Sequence, residues 1–515
     1  MKSLFKTVFI IIFFSVLTRI IGFLFKIYAS RTIGAQALGE YQVSFSIFMV
    51  LLTVISSGLP FIISRITAGY KAKHDIVSER KIITAGTIIS FVLSILLCII
   101  VLLFVPVLKH IFADKRCVTI LLLLLPALVF SSVYSAIRAN FWGKGNYLAL
   151  CSTELVEEVA RVIVFMVLIC GAITSNSGAN LLAISMSIAC AISALVVVVY
   201  YFAKGGRFKR TKSKQIYKEL IKKSAPITGV RIAASLIQPL IALIVPIRLV
   251  AAGYTSSQAL SLFGIAMGMT LPFLFIPSTI TGSLSTALVP DLSSAVASGD
   301  YNYISSRVIS AIKFTIFISV LFIPLYIGAG AQIGQFFYDN MQSGVMLSSS
   351  AWILLPLGLT NISSSLLNSL GYEIKSMRNY ILGAILLLLS IWFLPNIIGI
   401  NALIWAFGLC FVITSILNLK MISKIINKKL NMLKPIIIQV LIAVPSASIC
   451  SLFVNLLANF IPLFFALAIS CFVGTVCQVL LCFVFNIIEI EPIKVKIKQK
   501  LKIFKRKSKK TRIKI

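Results

Sequence analysis

The stretch Phe9–Ala29, FIIIFFSVLTRIIGFLFKIYA, is an apolar run with an arginine, Arg19, in its middle. It is long enough to cross a lipid bilayer as an α-helix, which takes about 20 residues. A cation at that depth is unfavourable by roughly 2.5 kcal/mol or more, so it normally faces a partner, water or a ligand. Other apolar segments carry arginines in their interior or at their ends, namely Arg65, Arg138, Arg161, Arg231 and Arg248. The pattern predicts a membrane protein that handles something negatively charged.

The composition predicts an all-α, polytopic membrane protein. Of the 515 residues, 59% are hydrophobic and only 12% are charged. No polar stretch is long enough to form a separate soluble domain of ordinary size. Reading apolar runs against polar breaks gives about fourteen transmembrane helices. The expected spans are 7–29, 43–68, 82–105, 119–141, 152–173, 179–202, 225–250, 261–289, 308–330, 345–370, 379–396, 400–419, 435–457 and 462–486.

Basic residues lie mainly in alternate loops, and this sets the expected orientation. The loops assigned to the cytoplasm carry residues such as Lys71, Lys73 and the run from Lys204 to Lys223, whereas most opposite loops carry few or none. By the positive-inside rule, we expect the N- and C-termini in the cytoplasm and the protein in the cell membrane as a multi-pass protein. The net charge of +34 then reflects topology. We expect these basic residues to contact membrane lipids, and we expect no nucleic-acid partner.

Short matches between the two halves predict an internal repeat. The segment Asn140-Phe-Trp-Gly143 ends the fourth span and recurs as Asn368-Ser-Leu-Gly371 at the end of the tenth, while Pro60 recurs as Pro290. Such repeats are typical of transporter folds. We expect two parallel six-helix lobes plus two extra helices. The predicted parts are an N-lobe (1–203), a basic cytoplasmic linker (204–224), a C-lobe (225–424), helices 13 and 14 (425–490) and a basic cytoplasmic tail (491–515).

The chain lacks the residue clusters that enzymes use. Its two histidines, His74 and His110, lie in predicted loops, and no nucleophile elbow or Gly-rich phosphate loop is found. The ten cysteines lie mostly in apolar segments and show no spacing typical of a metal site. We therefore expect no enzymatic activity, no cofactor and no metal.

One acidic cluster, Glu154, Glu157 and Glu158 with Arg161, lies at the cytoplasmic start of the fifth span. Glu157 and Arg161 are spaced i, i+4 and share a helix face, as do Glu154 and Glu158. Crowded carboxylates in a low-dielectric setting would suit a proton or sodium-ion site. The other interpretation is a structural ion pair that fixes this span against a neighbouring arginine such as Arg138. The spacing leaves both interpretations open.

The basic residues within the spans are the candidate substrate site. Guanidinium groups fit phosphate oxygens through bidentate, charge-assisted hydrogen bonds. The predicted pyrophosphate-binding set is Arg19, Arg231, Arg248, Arg65 and Lys26. Lys26 could instead reach towards the membrane surface, and Arg65 and Arg138 could be positive-inside anchors. Arg19 lies too deep for either alternative.

Several of these residues form motifs of a known family. Thr18-Arg19-Ile-Ile-Gly22-Phe23, Arg31-Thr-Ile-Gly34 and Gly39-Glu-Tyr-Gln42 resemble the polysaccharide-export and lipid-flippase branch of the multidrug/oligosaccharidyl-lipid/polysaccharide exporter superfamily, and within it the stage V sporulation protein B group. The resemblance implies two lobes around a central cationic cavity, an alternating-access mechanism, and a lipid-tail groove formed by spans thirteen and fourteen. It also implies that Arg19 is the first cavity arginine of the family motif. The second arginine of that motif is replaced by Phe25, which Lys26 follows.

The resemblance and the basic set together predict a lipid II flippase-like exporter of an undecaprenyl-pyrophosphate-linked oligosaccharide. The expected cargo is lipid II or another cell-wall polysaccharide precursor, and the expected setting is spore cortex and peptidoglycan synthesis. The partners would be this glycolipid, membrane lipids and cell-wall synthases, with the protein acting as a monomer. Two alternatives remain. A cation-coupled multidrug exporter of the same superfamily would need an acidic cavity, and a scaffold of envelope synthesis would transport nothing.

Overall fold

The first helix is longer than the first predicted span. The computed structural model describes residues 2–171, 178–209, 213–298, 300–428, 430 and 432–485, and its helix α1 covers Lys2–Ser56. The loop expected between residues 29 and 43 is only a bend at Gly34 (φ 78°, ψ 171°), a conformation that favours glycine. The chain is helical on both sides of it because the residues there are helix-compatible although polar. The second predicted span is therefore shared between α1 and the next helix.

The described residues are mostly helical and contain no strand. The helices up to residue 264 are α1, α2 (Gly58–Ala72), α3 (Ile76–Leu103), α4 (Val105–Ile111), α5 (Arg116–Gly143), α6 (Tyr147–Cys170), α7 (Gly178–Ala203), α8 (Lys214–Ser235), α9 (Ile237–Ala251) and α10 (Ser256–Gly264). After a π-helical turn (Ile265–Thr270) follow α11 (Leu271–Leu274), α12 (Ile276–Ser298), α13 (Tyr301–Tyr338), α14 (Met341–Ser350), α15 (Leu354–Ser369), α16 (Glu373–Phe393), α17 (Pro395–Ile398), α18 (Asn401–Ile425), α19 (Leu433–Leu457) and α20 (Leu463–Val484). The predicted basic tail (491–515) lies outside the described residues.

Twelve of the described helical segments are long and apolar enough to cross a membrane. The first candidate, Phe13–Ala72, covers the first two spans expected from the sequence, and the charged helix α6 is not among the twelve. The prediction of an all-α, multi-pass membrane protein is thus confirmed. The count of fourteen spans and the cytoplasmic position of both termini stay predictions.

The helices form two compact units. The first contains the described residues of Met1–Pro272 with Leu386–Ala406, and the second those of Phe273–Ile385 with Phe407–Ile515. The division into repeat lobes at the 204–224 linker stays a prediction. All nine residues proposed from the sequence as site residues belong to the first unit.

Helix α5 is central in the first unit, where it packs against α1, α2, α3 and α7. A buried aliphatic cluster joins α2, α3, α5 and α8. Helices α1 and α10 approach closely, because a Cβ at Gly39 would overlap the carbonyl oxygen of Leu260, and one at Gly264 would overlap that of Ala35. Small residues permit this contact in a membrane, where van der Waals packing rather than water exclusion drives helix association.

Helix α13 has the corresponding position in the second unit and packs against α14, α15, α19 and α20. A buried polar network connects α15, α16 and α18. Asn379 Nδ2 donates to Asn418 Oδ1 (2.9 Å), and Asn418 Nδ2 donates to Ser363 Oγ (3.2 Å). Because hydrocarbon offers no hydrogen bonds, such groups must be satisfied within the protein. The network therefore fixes α15, α16 and α18 in register.

Candidate functional site

Arg19 and Lys26 lie on one face of α1, on either side of Gly22. At Gly22 this helix meets α6, because a Cβ there would overlap the carboxylate of Glu158. Residues three before and four after a given position share its helix face, so both cations lie on the side of α1 that faces α6. Both side chains are exposed, and neither forms an ion pair within the described part of the chain.

Phe25 is a platform for the guanidinium group of Arg161. The arginine's Cζ lies 5.2 Å from the centroid of the Phe25 ring, and that ring packs edge-on against Phe165 at 5.4 Å. Arg161 also pairs with Glu158 and approaches the sulfur of Met186 (Nη1 to Sδ, 3.8 Å). Where the family motif has a second arginine on α1, this chain places an aromatic ring beneath an arginine of α6.

Arg138 is held at the end of α5 by three contacts. Its Nη2 donates to Glu154 Oε2 at 3.0 Å and to the carbonyl oxygen of Leu150 at 2.8 Å, and its Cζ lies 4.9 Å from the Tyr134 ring centroid. These contacts join α5 to α6. Arg138 therefore pairs with one carboxylate of the acidic cluster, Glu154, and Arg161 pairs with another, Glu158.

Glu157 is the member of the acidic cluster without an ion-pair partner among the described residues. It lines a cavity of about 410 Å³ between α1, α2, α5 and α6, together with Tyr134, Arg138 and three serines. The Cys190 thiol lies 3.9 Å from its Oε1, and Ser131 Oγ lies 3.4 Å from the Cys190 sulfur. The i, i+4 spacing to Arg161 does not produce an ion pair here, since Arg161 pairs with Glu158.

The remaining cations of the predicted set have different surroundings. Arg65 on α2 and Arg231 on α8 are exposed and form no ion pair in the described ranges. Arg248 on α9 is half-buried, and its Cζ lies 5.0 Å from the Trp392 ring centroid. Arg248 thus packs against Trp392, whereas Arg65 and Arg231 are accessible. In the part of the chain that the structure describes, no ion pair joins these three to Arg19.

Two ion pairs were not expected from the sequence. Glu40 is buried and lies 3.5 Å from the guanidinium of Arg116, and Glu79 is buried and lies 2.6 Å from Lys144 Nζ. The available signal was an acidic residue next to an apolar run, which must find a partner when buried. Ion pairs between described residues engage the carboxylates of Glu40, Glu79, Glu154, Glu158 and Glu219. Arg19, Lys26, Arg65 and Arg231 have no carboxylate at ion-pair distance among the described residues.

The described residues contain no group of three or more His, Cys, Asp or Glu side chains that could hold a metal ion. In the second unit, an apolar cavity of about 260 Å³ lies between α13 and α20. Its walls include Phe336, Phe464 and Leu467. Helix α20 corresponds to the fourteenth predicted span, which the family resemblance assigned to a lipid-tail groove.

Known proteins resemble this chain over most of its length. A family model described as "Polysaccharide biosynthesis protein" matches residues 4–296. Stage V sporulation protein B of Bacillus subtilis (strain 168) is 25% identical over 397 residues, which cover 75% of this chain and 76% of that protein. The lipid II flippase MurJ of the same organism is 21% identical over 375 residues, 66% of each chain.

Solved structures share the fold at lower sequence identity. The inward closed conformation of a lipid II flippase MurJ has a TM-score of 0.68 and 14% identity, and the match covers 92% of this chain and 98% of that one. The inward-facing conformation of a multidrug resistance MATE family transporter of the MOP superfamily has a TM-score of 0.64 and 14% identity, covering 79% of this chain and 94% of that one. The fold expected from the sequence motifs is confirmed by these matches.

Proposed function

Since the chain belongs to the polysaccharide biosynthesis protein family, we propose that it is a flippase for a lipid-linked oligosaccharide. The proposed cargo is an undecaprenyl-pyrophosphate-linked sugar, either lipid II or a related cell-wall precursor. The protein would move the polar head group from the inner to the outer leaflet by alternating access. The name of the sporulation relative supports a role in spore cortex synthesis, and that of MurJ supports a lipid II-like cargo.

The observation that carries this proposal is the uncompensated charge of Arg19. Its side chain is accessible, it lies in the middle of the apolar stretch Phe9–Ala29 of α1, and the carboxylates near it are engaged elsewhere. A cation in that setting is stabilised best by an anionic ligand. A pyrophosphate offers several oxygens to the five N–H donors of a guanidinium. Lys26, on the same face of α1, adds a second positive charge.

The direction of movement is consistent with the charge of the cargo. An anionic head group that leaves the cytoplasm moves towards the positive side of the membrane, which contributes about 2.3 kcal/mol per charge per 100 mV. The apolar cavity between α13 and α20 would suit part of a lipid tail. No carboxylate is required as the coupling group under this proposal.

The test uses purified protein in proteoliposomes that carry a lipid-linked pyrophosphate precursor in the inner leaflet. We expect Arg19→Ala to slow flipping about 10- to 100-fold, which corresponds to losing one charge-assisted interaction of about 1.5–3 kcal/mol. Arg378→Ala, at the start of α16, removes an exposed arginine from the second unit and is the matched control. Flipping by Arg19→Ala at the wild-type rate would rule the proposal out.

Glu157 is the observation that favours a second candidate function, a cation-coupled exporter. Its carboxylate lines a cavity without an ion-pair partner among the described residues, which is the setting a coupling ion would use. Under this alternative, Glu157→Gln abolishes substrate-stimulated sodium or proton flux. Under the flippase proposal, the same variant flips its lipid substrate at an unchanged rate in the absence of an ion gradient.

A further inference from the structure

A long apolar groove lies on the first unit between α3 and α8, far along the chain from Arg19. Its volume is about 580 Å³, and α2 and the end of α1 form its floor. One wall consists of α3 residues, including Ile88, Val92 and Leu96, which are all exposed. The other wall is α8, from Tyr217 to Ile232. The groove therefore opens towards the surroundings of the protein.

The α8 wall is recessed by small residues. Ala225 and Gly229 both line the groove, and a Cβ at Gly229 would meet no atom within 4 Å. Beneath them, Gly58 of α2 lets the helices meet, because a Cβ there would overlap the carbonyl oxygen of Ser224. The concavity therefore results from the close contact of α2 with α8 and from the small residues on α8.

One end of the groove carries a row of lysines. On α8, Lys214, Lys218 and Lys222 precede Ala225 and Gly229 at spacings of four, four, three and four, so all five share a helix face. The three lysines are exposed and have no ion-pair partner in the described part of the chain, whereas the neighbouring Lys223 pairs with Glu219 at 2.5 Å.

Helix α3 adds a fourth lysine at the same end. Lys81 lies seven residues before Ile88, and this spacing returns to the same side of the helix. Ile82 and Ala85, near the start of α3, pack in the same buried cluster as Leu220, near the start of α8. The lysine-bearing ends of the two helices therefore lie side by side. The groove is consequently apolar along its length and cationic at one mouth.

The groove is long enough to extend across one leaflet of a bilayer. The α8 wall from Tyr217 to Ile232 is about 22 Å long at 1.5 Å per residue. Half of the hydrocarbon core is about 15 Å, so an acyl chain anchored at the lysine end can lie within the groove. Exposed basic residues at this level are attracted to the head groups of anionic lipids.

We propose that this groove binds an anionic diacyl phospholipid, with its head group at Lys81, Lys218 and Lys222 and one acyl chain between α3 and α8. The bound lipid joins the two helices across the recess at Gly229. It thereby stabilises the packing of α8, which ends just beyond the groove at Ser235, where the chain turns into α9. This site is separate from the Arg19 region and does not depend on the proposed cargo.

The test measures retained phospholipid by native mass spectrometry after extraction from vesicles of phosphatidylglycerol and phosphatidylethanolamine. We expect wild-type protein to retain phosphatidylglycerol in preference to phosphatidylethanolamine. The double variant Lys218→Gln/Lys222→Gln should bind phosphatidylglycerol more weakly, by about fivefold for each lysine removed. The matched control is Lys420→Gln/Lys424→Gln on α18, which removes two exposed lysines at the same spacing.

A second variant tests the apolar part without changing charge. Gly229→Phe fills the recess, and its expected effect is loss of the retained phospholipid with an unchanged elution volume. Equal loss in the α18 control, retention by Gly229→Phe, or polyprenyl lipid instead of phosphatidylglycerol in the wild-type spectra would each overturn the proposal. None of these readouts involves flipping, so the site and the proposed function are tested separately.

Discussion

Arg138 of α5 and Arg161 of α6 differ from Arg19 of α1 in their partners. Arg138 and Arg161 each have a carboxylate and an aromatic ring in contact. Arg19 is exposed on its helix and forms no ion pair within the described ranges. Cations in apolar segments are therefore of two kinds. One kind holds the protein together, and the other is available to a ligand.

Converting the aromatic platform into a cation should have the largest effect on stability. Phe25→Arg restores the arginine that the family motif carries, but it removes a buried ring and places a second positive charge beside Arg161. We expect a loss of about 4 kcal/mol in the free energy of unfolding, mainly because large core side chains contribute 3–5 kcal/mol. An SDS titration monitored by tryptophan fluorescence measures this, with Phe25→Leu as the milder control. A variant as stable as wild type would mean that Phe25 is no platform.

Breaking the Glu158–Arg161 pair should have the next largest effect. The two side chains are 14% and 22% exposed, so Arg161→Ala leaves a largely buried carboxylate uncompensated. We expect a loss of about 3 kcal/mol, close to the range for broken buried pairs. The double variant Arg161→Ala/Glu158→Gln should recover a substantial part of it, because no unpaired charge remains. If the double variant were as unstable as the single one, packing rather than charge would explain the effect.

Arg231→Ala should change transport with little effect on stability. The side chain is exposed and has no ion pair in the described residues, so the free energy of unfolding should change by less than about 0.5 kcal/mol. Under the proposed function, flipping should fall about three- to tenfold, less than for Arg19→Ala. Stability and flipping rate, measured on one preparation, would separate the two kinds of cation. A loss of stability as large as that of Arg161→Ala would place Arg231 among the structural arginines.

Lys223→Ala should change the free energy of unfolding least and serves as the reference for the other variants. Its pair with Glu219 lies on the surface of α8, with both side chains about half exposed. Exposed i, i+4 pairs contribute about 0.3–0.5 kcal/mol and weaken in salt. The difference from wild type in the SDS titration should therefore be near the limit of detection and vanish at high ionic strength. A salt-independent loss above 1 kcal/mol would contradict the assignment of this pair as a surface contact.

The sequence was sufficient to predict the helical fold but not the pairing of its charges. Apolar runs of bilayer length identify spans because length and hydropathy are properties of each segment alone. The break expected between residues 29 and 43 proved to be a single bend at Gly34, since polar residues that are compatible with a helix do not interrupt one. Helix boundaries are thus less well predicted than helix existence.

Pairing depends on which helices are neighbours, and one sequence does not give this. By spacing, Glu157 and Arg161 share a helix face, whereas the structure pairs Arg161 with Glu158, whose carboxylate faces Gly22 of α1. The interhelical pairs Arg116–Glu40 and Lys144–Glu79 were missed for the same reason. The platform role of Phe25 required the approach of α6 to α1. Only the interhelical contacts distinguish the cations that are paired, such as Arg138 and Arg161, from those without an ion pair among the described residues, such as Arg19.

The proposed function depends most on whether Arg19 binds an anionic lipid head group. Native mass spectrometry of wild type and Arg19→Ala, each incubated with undecaprenyl pyrophosphate and with the uncharged undecaprenol, measures this directly. We predict that wild type retains the pyrophosphate and that Arg19→Ala loses it by about tenfold or more, while both proteins retain undecaprenol equally. Equal retention of undecaprenyl pyrophosphate by the two proteins would contradict the central claim.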